Sequence, residues 1–338
     1  MPLLTDAPAA ARPLLVPGAS FRAAVPADLG AEVDAVWRAF VGEAPAFVAG
    51  GEAGASEVGA AAGAAAAAGA AGAVVGADRV VLLRDDAPRS QYALMNEVLA
   101  AGGSLPDGLA CLALTGSRFQ GQRGRVWSAL RGNLHLSVHL ALDLDAAEHQ
   151  AGLAVLPAVA TARAIEACSG GRVRPGTKWV NDLMLGGRKV AGVLTATQLH
   201  AGRLRHVVIG VGVNVARAPE LPPGHRVPRP GSLAEADAAF AAEDAWARLL
   251  PPLLAELERG RALLVAGEGA ALLADYRARA TFLGRAVTIW PVDEGPDPAA
   301  VRPLARGVVR ALRDDLSLEL EGVDAPVHSG RMTLDDRM

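Results

Sequence analysis

The chain has 338 residues, of which 51% are hydrophobic and 20% charged, and its formal net charge is -3. This length suffices for two or three globular domains, and the charge excludes the basic footprint typical of nucleic-acid-binding domains. The two cysteines, Cys111 and Cys168, lie far apart in apolar contexts, so we expect free thiols in a reducing cytoplasm. We identify no signal peptide and no stretch of membrane quality, and we expect neither a nucleic acid nor a membrane as partner.

The first third of the chain is informative only towards its end. Hydrophobic residues at helical spacing predict a helix over residues 31–41, and the Ala/Gly-rich residues 50–75 predict a flexible or loosely helical linker. We leave residues 1–77 unassigned. The first clear strand is predicted over residues 78–83 and a helix over 92–101.

A glycine- and arginine-rich loop follows the next predicted strand, residues 109–115. Between Gly116 and Trp127 the loop has three glycines and three arginines and no apolar periodicity. Glycines let backbone N–H groups approach an anion, and arginines pair with phosphate or carboxylate oxygens. The loop is therefore a candidate anion site, although exposed Gly/Arg loops without a ligand are also common.

A turn at Asn133 precedes a strand predicted over residues 134–142. His135 and His139 lie on one face of this strand among apolar residues, and metal binding is disfavoured because no third ligand is in view. A long apolar helix is predicted over residues 151–167.

The stretch TKWVNDLMLGGRKVAGVLT contains both lysines of the chain, Lys178 and Lys189. An arginine is a planar fork and cannot replace the compact charge of an ammonium group. In a chain so rich in Ala, Gly and Arg, two retained lysines are candidates for chemistry. Strands over residues 183–185 and 189–196 predict a hairpin that brings Lys178, Asp182 and Lys189 to one edge of a sheet. Taken singly, Lys189 could be a solvated residue and Asp182 a turn former.

The remainder of the chain predicts a buried strand, a helical region and a group of short strands. HVVIGVGVNV, residues 206–215, is the buried strand, and its glycines allow close backbone packing. Residues 233–264 are predicted to be helical, and residues 281–335 contain TFLGRAVTIW, RGVVRAL and DDLSLEL, which are typical of short strands.

Three segments of the sequence resemble, in order and spacing, the catalytic domain of biotin protein ligases in the biotin/lipoate ligase superfamily. They are LTGSRFQGQRGRVWSALRGNLHLS, TKWVNDLMLGGRKVAGVLTAT and VVIGVGVNV. The resemblance implies an α+β fold, with a mixed-sheet catalytic domain over about residues 78–275. It also implies a small SH3-like β-barrel over residues 281–335. No helix-turn-helix motif is found before the catalytic domain, so we expect no repressor role.

The implied reaction has two steps. ATP, with Mg²⁺, and biotin form biotinyl-5'-AMP, and a lysine of a biotin carboxyl carrier protein then attacks this mixed anhydride. The resemblance implies that Lys189 is the central cation, that Lys178 adds a second charge, and that Asp182 holds Mg²⁺ or orients the incoming lysine. A homodimer is compatible with it. The implied substrate-binding residues are Arg89, Ser90, Gln91, Gln120, Gly121, Gln122, Arg123, Gly124, Arg125, Trp127, Asn133, Asn181, Gly192 and Asn214.

The sequence departs from the family pattern at two places. In the loop, Gly116, Phe119, Gln120 and Gln122 replace the usual Gln, Gly, Arg and Arg. APRSQ stands where the family has a Ser-Thr-Asn turn that recognises the biotin ring. These changes keep two alternatives open: a ligase or acyltransferase for lipoate, octanoate or another carboxylate, and a non-catalytic relative that binds an adenylate or acyl ligand.

Overall fold

The structure is a computed structural model that describes residues 14–17, 46–49, 72–76, 79–221, 226–292 and 301–335. It contains two β-sheets and four α-helices within these ranges. In chain order the elements are β1 (Leu14–Pro17), β2 (Ala46–Ala49), β3 (Gly72–Gly76), β4 (Arg79–Ala87), α1 (Gln91–Ala100), β5 (Ala110–Gly116), β6 (Leu134–Asp145), α2 (Ala146–Cys168), β7 (Gly176–Lys178), β8 (Asp182–Leu185), β9 (Arg188–His200), β10 (Arg203–Val213), α3 (Trp246–Val265), α4 (Gly269–Ala278), β11 (Ala286–Trp290), β12 (Ala305–Leu312), β13 (Leu318–Leu320) and β14 (Arg331–Leu334).

The larger sheet has ten strands in the order β1-β2-β3-β4-β5-β6-β10-β9-β8-β7. The pairs β2–β3 and β4–β5 are parallel, and every other neighbouring pair is antiparallel. The predicted α+β class with a mixed sheet is therefore confirmed. β6 and β10 lie in the middle of the sheet, and most of their residues are buried.

One line of directly paired residues crosses six strands of this sheet, from β5 to β7. Directly paired residues point their side chains to the same face. The line runs through Ala113, His135, Gly212, Gly192, Asp182 and Lys178. Gly212 and Gly192, on neighbouring strands at its centre, carry no side chains and leave a depression in the sheet surface. His135 lies on one side of this depression, and Asp182 and Lys178 lie on the other.

Helix α2 is the principal helix against the sheet, and α3 and α4 pack against it. It begins after Asp145, whose carboxylate accepts hydrogen bonds from the N–H groups of Ala147 and Glu148 at 2.9 and 3.2 Å. The helix predicted over 151–167 is thus confirmed and starts earlier. By length and composition alone α2 could cross a membrane, but 67% of its apolar window is buried inside the protein. Its apolar character is that of a core helix.

Several predictions differ from the structure. The helix predicted over residues 31–41 lies outside the described residues, and the last residues of the predicted linker form β3 in the larger sheet. The region 233–264 is not one helix: a 3₁₀ turn, Ala238–Phe240, precedes α3 because the Asp237 carboxylate accepts a hydrogen bond from Ala239 N–H at 3.0 Å and starts a separate turn. Helix α4 was not predicted from the sequence.

The four C-terminal strands form an antiparallel sheet in the order β13-β12-β11-β14. The three strands predicted there are confirmed, and β14 is an addition. Buried residues of this sheet, such as Val287 and Val309, belong to the same hydrophobic cluster as those of the larger sheet. The SH3-like classification and the domain boundaries stay predictions.

Candidate active site

A cavity of about 330 Å³ lies above β9 and β10, beneath the loop that joins β5 to β6. This size lies at the lower end of the range for small-molecule sites. Ten of the residues predicted to bind substrate or to act in catalysis line it. They are Ser90, Gln120, Gly121, Gln122, Arg125, Trp127, Asn181, Lys189, Gly192 and Asn214.

Both lysines of the chain meet at one carboxylate. Lys189 Nζ lies 2.5 Å from one Asp182 oxygen, and Lys178 Nζ lies 3.6 Å from the other. The side chains of Lys178 and Asp182 are 5% and 10% exposed, whereas that of Lys189 is 22% exposed and reaches the cavity. The predicted convergence of these three residues is therefore observed, with Lys189 in front and Lys178 behind.

The charges of this cluster stabilise each other. Burial alone would raise the pKa of Asp182, but Lys189 and Lys178 outweigh burial and hold that pKa below its usual value. Burial lowers the pKa of Lys178, and the Asp182 charge partly compensates. Arg125 adds a further positive charge that acts on both residues. With two lysines and one carboxylate, the cluster presents excess positive charge towards the cavity.

Trp127 covers the two glycines at the centre of the sheet. A Cβ atom on Gly212 would lie 2.4 Å from Trp127 Cζ2, and one on Gly192 would lie 3.3 Å from Trp127 Cζ3. The centre of the indole is 5.7 Å from Lys189 Nζ, and the indole N–H points to His135 Nδ1 at 3.2 Å. Glycine at position 212 is what lets a large ring lie this close to the strand, and a Cβ at position 192 would be in tight contact with the same ring.

The loop above the cavity is held by its own backbone. Gly121 N–H donates to Arg125 O at 2.6 Å, and Gly124 has a φ of 73°, a left-handed conformation that favours glycine. Arg125 Nε donates to Gln122 O at 3.2 Å, and Val126 is 84% exposed at the cavity rim. Arg123 lies in the 3₁₀ turn Gln122–Gly124, and its side chain is outside the description.

Asn214 and Asn181 are fixed by backbone contacts. Asn214 Nδ2 donates to Gly231 O at 2.9 Å, while its buried Oδ1 lacks a hydrogen-bond partner among the described residues. Asn181 Nδ2 donates to Val193 O at 3.0 Å. Asn214 therefore offers an acceptor oxygen to a ligand, because a buried carbonyl oxygen without a partner is unfavourable.

Four predicted substrate-binding residues do not line the cavity. Arg89 turns away to form an ion pair with Glu97, and Gln91 is buried on α1. Asn133 accepts hydrogen bonds from the N–H groups of Val215 and Arg217 at 3.0 and 3.3 Å, so it joins β6 to the segment after β10. Gly124 shapes the loop without lining the cavity. The contact of these four residues with substrate stays a prediction, and Asn133 and Gly124 support the cavity from outside its lining.

Asp182 is poorly suited to hold Mg²⁺. Both of its oxygens face ammonium groups, and the described residues contain no cluster of three potential metal ligands. Mg²⁺ in proteins is bound by oxygen ligands and keeps several waters. The metal role of Asp182 stays a prediction, and the contacts that the structure shows for this carboxylate are with the two lysines.

Several residues of the cavity wall were not predicted from the sequence. Tyr92, Phe119, His135, Gly210 and Gly212 all line the cavity. The alternating glycines of VVIGVGVNV were a usable signal, since Gly210 and Gly212 must lie on one face of a strand. His135 was considered only as a metal ligand, and its position opposite Gly212 depends on strand pairing that the sequence does not reveal.

Comparison with known proteins agrees with this geometry. The biotin/lipoate A/B protein ligase family matches residues 103–214, which include the loop and the lysine cluster. The biotin--[acetyl-CoA-carboxylase] ligase of Mycobacterium tuberculosis is 34% identical over 197 residues, covering 56% of this chain and 67% of that protein. The chain belongs to the biotin/lipoate A/B protein ligase family. The resemblance to biotin protein ligases is thereby confirmed.

Other members of the family match over shorter regions. The bifunctional ligase/repressor BirA proteins of Bacillus spizizenii and Escherichia coli K12 are 34% and 36% identical over 116 and 115 residues. Each match covers 34% of this chain and 35% of the relative, so the chain spans about a third of the length of these relatives. The biotin protein ligase from Aquifex aeolicus, in complex with biotin and ATP, has a TM-score of 0.55 at 18% identity, covering 75% of this chain and 98% of that chain. This likeness shows the shared fold.

Proposed function

We propose that the protein is an ATP-dependent ligase that activates biotin as biotinyl-5'-AMP and transfers it to a lysine of a biotin carboxyl carrier protein. The observation that carries this proposal is the position of Lys189 at the cavity wall, with its ammonium group held by Asp182. The biotin--[acetyl-CoA-carboxylase] ligase of Mycobacterium tuberculosis and the ATP- and biotin-bound ligase from Aquifex aeolicus support the choice of substrates.

In the first step, an oxygen of the biotin carboxylate attacks the α-phosphorus of ATP. A new P–O bond forms, the bond to the bridging oxygen of the β-phosphate breaks, and pyrophosphate leaves with its electrons. Two anionic groups must approach each other, so a fixed cation lowers the barrier most effectively in a closed site. Lys189 supplies that cation, and Arg125 in the loop adds another at the cavity wall.

In the second step, the amine of a carrier lysine attacks the acyl carbon of the adenylate. An amide bond forms, the bond between the acyl carbon and the phosphate oxygen breaks, AMP leaves, and the amine proton passes to solvent. The adenylate must be shielded from water until the carrier arrives, which is the function we propose for the loop between Gly116 and Trp127. Mg²⁺ belongs to this proposal as the counter-ion of ATP and not as a ligand of Asp182.

We place the nucleotide at the end of the cavity that Asn214 lines, because this end fits a ligand that donates hydrogen bonds. Asn214 Oδ1 is a buried acceptor with no partner among the described residues, and Asn214 lines the cavity. The exocyclic amine of adenine or a ribose hydroxyl can donate to it. The backbone of Lys189 ties this end to the reacting centre, because Lys189 N–H donates to Arg229 O and Gly231 N–H donates to Lys189 O.

A second candidate keeps the chemistry but changes the acid. A Cβ on Gly116 would lie 2.3 Å from the Phe119 ring, so Phe119 fills the space beside Gly116 where the family has a glutamine side chain. Arg89 turns away from the cavity to Glu97. Both observations make the part of the cavity beside Phe119 less polar, which favours an apolar acid such as lipoate or octanoate.

An ATP–pyrophosphate exchange assay with biotin, lipoate and octanoate separates the candidates. Exchange strongest with biotin, followed by labelling of a biotin carboxyl carrier domain, is the result we expect. Exchange with only another acid would replace biotin by that acid. If no acid supports exchange while ATP or adenylate still binds in calorimetry, the protein is a non-catalytic relative and the proposal is wrong.

Location and assembly complete the proposal. We infer a cytoplasmic protein, where ATP is available and the two free thiols stay reduced. A homodimer is compatible with this proposal, and sedimentation of the purified protein with and without biotin and ATP measures the oligomeric state. A monomer under all these conditions would remove the dimer from the proposal without affecting the chemistry.

A further inference from the structure

His135 is a buried histidine whose contacts specify its protonation. Its Nδ1 lies 3.2 Å from the indole nitrogen of Trp127, and its Nε2 lies 3.2 Å from Leu130 O. An indole nitrogen can only donate and a carbonyl oxygen can only accept. His135 is therefore neutral, with its proton on Nε2 and a free lone pair on Nδ1 for the indole. Burial also lowers the pKa of His135 to about 4.

The histidine is placed for this contact by the sheet itself. His135 pairs directly with Gly212, which pairs directly with Gly192, so all three lie on the face that carries the cavity. The Trp127 ring spans the two glycines, with its N–H towards His135 and its centre 5.7 Å from Lys189 Nζ. One hydrogen bond thus fixes where the indole lies relative to the central cation.

The hydrogen bond from the Trp127 indole is the polar contact that joins His135 to the cavity wall. Phe119 contacts the imidazole edge to face, with ring centres 5.9 Å apart. The imidazole itself lines the cavity, yet its residue is 3% exposed. A side chain in this position can act on a ligand through Trp127, whose face forms the wall beside Lys189.

We propose that His135 is a positioning residue that holds the Trp127 indole across Gly212 and Gly192 and so sets the width of the nucleotide site beside Lys189. The proposal rests on the proposed function for its kinetic consequence and on geometry alone for the indole contact. Loss of the acceptor lets the indole move, which weakens nucleotide binding more than it slows the chemical step.

The matched variants are His135→Phe, which keeps a ring but removes the acceptor, and His135→Asn, whose side-chain oxygen can replace Nδ1. We expect His135→Phe to raise KM for ATP about tenfold in pyrophosphate exchange, with kcat within about twofold, because one neutral hydrogen bond changes an equilibrium by about this factor. His135→Asn should recover most of the loss. In a Trp127→Phe background, His135→Phe should add no further increase.

His139→Phe is the control, because His139 is an equally buried histidine on the same strand that contacts Pro106 O and His206. We expect it to lower the thermal midpoint without changing KM for ATP. An unchanged KM in His135→Phe, an equal rise in His139→Phe, or full additivity with Trp127→Phe would each overturn the proposal.

A second measurement does not depend on enzymatic activity. In ¹⁵N-tryptophan-labelled protein without ligand, the Trp127 indole N–H signal should shift and exchange faster in His135→Phe, and should stay close to wild type in His135→Asn. If wild-type protein shows no exchange activity but the indole signal responds in this way, the proposed function fails and the positioning role stands. An indole signal that does not respond overturns the positioning role.

Discussion

Trp179 donates its indole N–H to the backbone oxygen of Leu316 at 2.8 Å. Trp179 directly follows Lys178 in the chain, and Leu316 lies in the turn between β12 and β13. This bond joins the lysine cluster to the C-terminal sheet, and the Trp179 side chain belongs to the hydrophobic cluster shared by the two sheets. The C-terminal sheet therefore supports the backbone that carries Lys178.

Replacing Trp179 by Phe should weaken this support. The variant loses the hydrogen bond and leaves a carbonyl oxygen without its donor, so we expect the free energy of unfolding to fall by about 1–3 kcal/mol. Urea denaturation measures the change, and pyrophosphate exchange should slow as well. Trp290→Phe is the control, since Trp290 donates to Thr333 Oγ1 at 3.0 Å within the C-terminal sheet. It should lose stability but keep the exchange rate; equal rates for both variants would contradict the coupling.

Lys189→Ala should abolish adenylate formation while the protein stays folded, and Lys189→Arg should also be severely impaired. The ammonium lies between Asp182 and the face of Trp127, and a planar guanidinium does not fit the place of a compact charge. The assay is pyrophosphate exchange, with circular dichroism to verify folding. An Arg variant with wild-type activity would contradict the role of Lys189 as the central cation.

The stability of the protein should depend on pH through His135. Its pKa is about 4 in the folded protein against 6.5 for an exposed histidine, so between these values the unfolded chain binds more protons. The free energy of unfolding is therefore highest above about pH 6.5, and it falls by at most about 3 kcal/mol as the pH decreases towards 4. Urea denaturation of wild type and His135→Asn tests this.

The stability difference between these two proteins should shrink by about 2 kcal/mol from pH 7 to pH 5, because only the wild type carries the histidine. Other histidines cancel in the comparison. A difference that stays constant over this range would show that His135 is protonated equally in both states.

Gly212→Ala should be far more harmful than Gly210→Ala. Both glycines lie on the same face of β10, but a Cβ on Gly212 would be 2.4 Å from Trp127 whereas one on Gly210 would be 3.1 Å from Tyr92. We expect a loss of about 1–3 kcal/mol and a raised KM for ATP in Gly212→Ala, because the indole must move. Gly210→Ala should change either quantity only slightly. Similar melting temperatures for the two would mean that the indole is not confined.

The lysine cluster and most of the fold could be predicted from the sequence. Lys178 and Lys189 were conspicuous as the only lysines, and the Gly186-Gly187 turn indicated the hairpin that brings them to Asp182. The long strands β6 and β10 have hydrophobic patterns strong enough to identify them without tertiary information.

Side-chain directions could not be predicted. Arg89 and Gln91 lie beside Ser90 in the sequence, yet only Ser90 of the three lines the cavity, because Arg89 pairs with Glu97 and Gln91 is buried at the start of α1. The pairing of His135 with Gly212 joins residues 77 positions apart through strand register, which local patterns do not encode. Helix α4 was not predicted; it follows α3 closely, and its Asp275 forms an ion pair with Arg163 of α2, a contact that the local sequence does not reveal.

The 2.5 Å contact between Asp182 and Lys189 has a consequence for ligand selection. An incoming carboxylate or phosphate meets an ammonium group whose charge is already partly neutralised by a carboxylate that the protein itself supplies. The net electrostatic gain from a single anion is correspondingly small, and a neutral molecule gains nothing from the remaining positive charge. A ligand that brings several negative charges at once gains more. The cluster thus acts as a threshold that favours polyanionic ligands over single anions such as free acetate or chloride.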